Sequence, residues 1–122
     1  MGKPVIVIRD WRSTAAALET ARTQGTSPIL VTPEDAAAFY GAAYLAALQD
    51  RARREFADVD FTLIVDCGDA PGWALACLRA GVKVISMDPL NDKVADIIPA
   101  IRKHATETVG SRGGEAAVIS KL

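Results

Sequence analysis

Four short apolar runs, each followed by a segment with helical spacing, set the organisation of the chain. Val5-Ile6-Val7-Ile8 is continuous and β-branched rather than alternating, the pattern of a strand covered on both faces. Ser13 to Gln24 then places Thr14, Leu18 and Ala21 at helical intervals and stops at Gly25, a residue that tolerates the positive φ of a helix C-terminus. Pro28-Ile29-Leu30-Val31 is a second strand. Thr32-Pro33-Glu34-Asp35 supplies a cap, a first-turn proline and early acids for a second helix.

On a helical wheel Ala37, Ala38, Gly41, Tyr44, Leu45, Leu48, Ala52 and Phe56 form one stripe, which predicts a single helix running to about Phe56 with that face on the sheet. Its opposite face is apolar in its first half, through Phe39, Ala42, Ala43 and Ala46, before Asp50, Arg53 and Arg54 return it to solvent. An apolar patch on a surface helix calls for a cover, so these four residues are a candidate oligomer interface.

Phe61 to Val65 is the third strand, and it ends in Asp66-Cys67-Gly68-Asp69-Ala70-Pro71-Gly72, a turn with two acids, two glycines and a proline. A helix through Trp73, Leu75, Cys77 and Leu78 closes at Gly81, and Val82 to Met87 is the fourth strand. Asp88-Pro89 leads into a helix through Val94, Ile97, Ile98 and Ile101, kinked or divided at Pro99. From Thr106 the chain turns polar, so residues 1–105 read as one α/β domain. Residues 106–122 read as a flexible polar tail in which Ala116 to Ser120 forms a short added strand.

Strands alternating with helices are the signature of βαβ units and a parallel sheet. The expected fold is a three-layer, open parallel sheet of four strands, flavodoxin-like with order 2-1-3-4, flanked by helices. The alternative is half of a barrel completed by dimerisation, since four units are too few to close a barrel of eight.

The 122 residues match one domain, and half of them are hydrophobic, enough for a real core. With 14 Lys plus Arg against 15 Asp plus Glu there is no basic field to hold nucleic acid or anionic lipid. The first apolar run is too short for a signal or membrane segment. Met1-Gly2 opens like a myristoylation signal, but Ile6 stands where Ser or Thr is needed. These features lead us to expect a cytoplasmic protein without nucleic-acid or membrane partners.

In order 2-1-3-4 a ligand crevice would open between the loops after strands one and three. Those loops carry Arg9, Asp10, Trp11, Arg12 and Ser13 on one side and Asp66, Cys67, Gly68, Asp69 and Gly72 on the other, with Thr32 and Asp88 nearby. Asp10, Trp11, Arg12, Asp66, Cys67 and Asp69 are the candidate ligand-binding residues. The three carboxylates suit Mg²⁺ and, through it, a small anionic ligand; no particular cofactor is indicated. The structural reading competes with this, because Asp10 and Asp69 stand where carboxylates cap helices.

An acid after strand one and an Asp followed by proline after strand three resembles response-regulator receiver domains over these two loops. The second acid after strand one is absent, Pro71 lies one place too far from Asp66, and no fifth strand carries such a domain's lysine, so the phosphoacceptor role does not pass to Asp66.

Cys67 sits between a strand and a helix N-terminus, which favours the thiolate and makes it the candidate nucleophile. The lone His104 falls in the last helix, with nothing to bring it beside Cys67 as a base. The Cys67 and Cys77 spacing suggests neither a metal pair nor a disulfide framework, and both read as small buried hydrophobes. No Walker or G-x-G-x-x-G sequence follows any strand, while Trp11 and Trp73 are placed to stack on a ligand or pack over the sheet edge. The leading expectation is a homo-oligomeric interaction module, with ligand binding second. An enzyme using Cys67 or carboxylate-bound Mg²⁺ comes third.

Overall fold

A computed structural model of the chain describes residues 3–87 and the strand at 117–120. The elements are β1 (Val5–Val7), α1 (Trp11–Gln24), β2 (Ile29–Val31), α2 (Ala36–Tyr40), α3 (Ala42–Glu55), β3 (Thr62–Asp66), α4 (Pro71–Ala80), β4 (Val84–Met87) and β5 (Ala117–Ser120). All strand pairs are parallel. The expected helix through Val94 to Ile101, with Pro99, Asp88 and His104, lies outside the described residues.

The α/β class and the parallel sheet stand, but the strand order does not. The order is β1-β2-β3-β4-β5, so each crossover steps to the next position and the direction never reverses. Right-handed crossovers that all step the same way place their helices on the same face of a sheet. The contacts agree, since α1 meets α3 and α3 meets α4 as neighbours in one layer. Among the described residues the fold therefore has two layers, where three were expected.

Burial along the strands shows the same thing from the side chains. Leu30, Leu63, Val65, Ile85 and Met87 are at most 2% exposed and meet Leu18, Leu45, Ala74, Cys77 and Leu78 of the helices in one core. Their alternates are open. Val5 and Val7 are 64% and 53% exposed, and Ile29, Val31, Ile64 and Val84 are half-buried. Register aligns Val7, Val31, Ile64 and Val84 in a single row across four strands, with Val5, Ile29 and Thr62 in the row beside it. The β-branched runs read as doubly covered strands thus have one face under the helices and one apolar face that no described helix covers.

The long second helix is two. Gly41 takes φ 88 and ψ 151, a conformation outside the helical region that L side chains rarely adopt, and it ends α2 and restarts the chain as α3. The break rotates the two halves relative to each other, so Ala46, expected on the outer face, lies in the core at 6% exposure and Ala42 packs partly against it. Tyr44, expected on the sheet-facing stripe, is 41% exposed.

Polar contacts fix the helices to their neighbours. Gln49, 1% exposed in α3, donates from Nε2 to the Gly81 carbonyl at 2.8 Å, and its Oε1 accepts from the Lys83 amide at 3.0 Å. This bonds α3 to the turn between α4 and β4. On the other flank Arg22 grips the Asp58 carboxylate with Nε and Nη2 at 2.9 and 2.8 Å, and its guanidinium lies 4.6 Å from the Phe56 ring centroid. The Arg22 hydrogen bond holds Asp58 below the ordinary carboxylate range.

Candidate functional site

The C-terminal ends of the strands carry the sequence-predicted site residues, but the order of the sheet separates them. β2 lies between β1 and β3, so the loops after β1 and β3 are not neighbours across a reversal, and the crevice that order 2-1-3-4 would open is not formed. What each loop does instead follows from its own hydrogen bonds.

After β1, Asp10 is the N-cap of α1. Its Oδ1 accepts from the Ser13 amide at 2.8 Å, and Ser13 Oγ accepts in return from the Asp10 amide at 3.1 Å, a reciprocal capping box. The Ser13 backbone bond first, then its hydroxyl, with Arg12 and Arg9 beyond, hold the Asp10 carboxyl below its usual range. The Arg9 amide also donates to Ser13 Oγ, at 2.9 Å, and Thr14 Oγ1 donates to the Asp10 carbonyl at 2.7 Å. Asp10 is thus committed to the helix terminus. Arg12 is exposed.

Trp11 packs inward against Phe56, with ring centroids 6.3 Å apart, and the Arg51 guanidinium lies 4.0 Å from its own ring centroid. Arg51 Nε in turn donates to Glu55 at 2.6 Å. Trp11, Tyr44, Ala47, Leu48 and Arg51 line a hollow of about 170 Å³ on the α1 and α3 surface. That is below the roughly 300 Å³ at which ligand pockets usually begin. Trp73 is 41% exposed on α4.

The loops after β2 and β3 do meet. Thr32 Oγ1 accepts from the Asp66 amide at 2.9 Å, and Asp66 Oδ1 accepts from the Gly68 amide at 2.8 Å, so the buried Asp66 carboxylate closes its own turn. Gly68 has φ 56, and a Cβ placed there would collide with the Asp35 carboxylate. Asp35 itself is left-handed at φ 57, which Asp tolerates better than most residues. Asp69 is exposed, and α4 begins with Ala70 as N-cap and Pro71 at its start, so the capping role considered for Asp69 is not the one it has.

The carboxylates do not converge on one point: among the described residues no group of three or more His, Cys, Asp or Glu side chains is placed to hold a metal ion. Cys67 is 2% exposed, with its sulfur 3.8 Å from the Val65 carbonyl, and Cys77 is fully buried. The Cys67 thiol hydrogen-bonds the Cys77 sulfur and lowers the Cys77 pKa against the opposing effect of burial.

Of the four candidate interface residues, Phe39 is 82% exposed with its ring edge on Tyr40 at 5.0 Å, and Ala43 is exposed; Ala42 and Ala46 are placed inward as described above. Three features escaped the sequence reading. The open sheet face was hidden by the assumption that a continuous apolar run is covered twice. Thr62 and Asp66, spaced by four in β3, were the available signal of a different second face. Gln49 looked like a solvent residue of α3. The pairing of Cys67 with Cys77 needed the helix laid on the strand.

The chain is thus a singly wound parallel α/β domain with its helices on one side. No protein-family model matches it, and no curated protein matches its sequence. Among the described residues no helix is long and apolar enough to cross a membrane.

Proposed function

We propose that the chain is a homo-oligomeric interaction module, and that a second copy covers the open apolar face of the sheet. The observation that carries this reading is the row Val7, Val31, Ile64 and Val84, backed by Val5 and Ile29: six aliphatic side chains on one face, none of them charged and none under a helix. Removing their remaining apolar surface from water, at about 25 cal/mol per Å², contributes several kcal/mol toward association. Consecutive strand order supports the same reading, because it is the order of half a parallel barrel, whose open face is the interior that a partner half completes.

A ligand or catalytic role at the strand tips is the weaker reading. Asp10 and Asp66 are bonded into their own turns, and Cys67 is buried beside a second thiol. Static light scattering over a range of concentrations tests the proposal. The dimer mass is the expected result, and a monomer mass at the highest concentration overturns it.

A further inference from the structure

We propose that Cys67 and Cys77 are a redox modification site, forming a reversible intrachain disulfide that staples the tip of β3 to α4 when the protein meets a peroxide. This goes beyond the association reading and does not depend on it.

The two sulfurs come from different elements laid against each other. Cys67 follows β3, with its amide donating to the Ser86 carbonyl of β4 at 2.9 Å. Cys77 lies in the second half of α4, with its carbonyl accepting from the Val82 amide at 3.0 Å. Both backbones are therefore pinned to the same neighbouring strand segment, and both side chains belong to the core between sheet and helices, at 2% and 0% exposure. Their thiols are in hydrogen-bond contact, Cys67 toward Cys77. Two thiols in that relation need only a small rotation to reach bonding distance, whereas cysteines far apart would require backbone movement.

The loop between them is built to give. It contains Gly68 at φ 56 and Gly72, whose Cβ position meets nothing within 4 Å, and Asp69 and Gly72 are exposed. Peroxide is barely larger than water, so opening of this turn is enough to admit it.

The chemistry balances with hydrogen peroxide as the oxidant. Cys77 is the sulfur favoured as thiolate, because the Cys67 S–H donates to it. The Cys77 thiolate attacks one peroxide oxygen, the O–O bond breaks, and the departing hydroxide takes up a proton to leave as water. Cys77 is now a sulfenic acid. Cys67 loses its proton and its sulfur attacks Cys77; the S–O bond breaks, and hydroxide with that proton leaves as a second water. Two thiols have lost two electrons and two hydrogens, and one peroxide has become two waters.

The test treats the native full chain with hydrogen peroxide, then unfolds it and alkylates with iodoacetamide before mass spectrometry. The expected product is a monomeric chain two hydrogens lighter, carrying no alkyl groups, with the peptides holding Cys67 and Cys77 linked and with both thiols recovered on reduction by dithiothreitol. Its thermal midpoint should rise by several degrees over the reduced form. Both cysteines alkylated, oxygen added to one with the other alkylated, or linkage only between chains would each overturn the proposal. Cys67→Ser supplies a second arm if it folds: Cys77 should then stop at a sulfenic acid trapped by dimedone, and absence of that adduct where the parent chain forms its disulfide overturns the assignment of Cys77 as the attacking sulfur.

Discussion

Gln49 and Gly81 are joined by a 2.8 Å hydrogen bond between a buried side-chain amide and a backbone carbonyl, and the same amide accepts from Lys83 at 3.0 Å. One residue of α3 thereby holds the turn that delivers the chain from α4 into β4. Gln49→Leu keeps the volume and removes both bonds, and it should cost about 2–3 kcal/mol, the range for stripping partners from buried backbone groups. Urea unfolding measures this as a lower midpoint with an unchanged slope; a midpoint within error of the parent would show that the bonds contribute nothing net.

The open face and the outer face of α2 and α3 make opposite forecasts for the same measurement. Val7→Lys puts a charge on an already exposed position of the sheet face, so folding should survive while dimer affinity falls at least tenfold, about 1.4 kcal/mol. Phe39→Glu should leave the light-scattering mass unchanged. The reverse outcome would move the interface to the helices.

Gly68 and Asp35 make a pair whose two costs can be separated. Gly68→Ala forces an L side chain into the left-handed region, roughly 1–2 kcal/mol, and drives its Cβ into the Asp35 carboxylate. In the Gly68→Ala, Asp35→Ala double variant the collision is gone and the backbone cost remains, so the two changes should couple favourably in a double-mutant cycle. Additive losses in urea midpoints would mean that the Asp35 carboxylate moves away at no cost.

Acid should act first on the capping box. Asp10 is held below its usual pKa, mainly by the Ser13 amide, and a carboxyl lowered in the folded state adds stability above its unfolded value and loses it as pH falls through the folded one. Asp58, lowered by the Arg22 hydrogen bond, has the same sign. Thermal midpoints of the Asp10→Ala chain should lie a few degrees below the parent at neutral pH, and the gap should narrow in acid. A gap that does not change with pH would assign the cap to geometry rather than charge.

Much of the local structure was legible and its assembly was not. Gly25 and Gly81 end α1 and α4 with positive φ, and every apolar run noted in the sequence contributes a strand. These are decided by residues within a turn of one another. Strand order is decided by which face each crossover chooses, and Val5 to Ile8 looks the same whether one face is covered or two. Gly41 illustrates the same limit, since it fits a helical stripe at the right spacing yet carries a backbone conformation that ends one. The candidate site failed for the topological reason: Asp10 and Asp66 share an edge of the sheet, but β2 stands between them.

The outermost strand, β1, is only three residues long, and Pro4 comes immediately before it. The Pro4 carbonyl accepts from Ile29 on the inner side, and the ring leaves no N–H to offer on the outer side. A proline beside a short border strand blunts the recruitment of further strands from other molecules. Growth of the sheet sideways into ribbons is therefore checked at this border, and copies that meet are steered toward stacking their flat, greasy surfaces, a mode that stops at two.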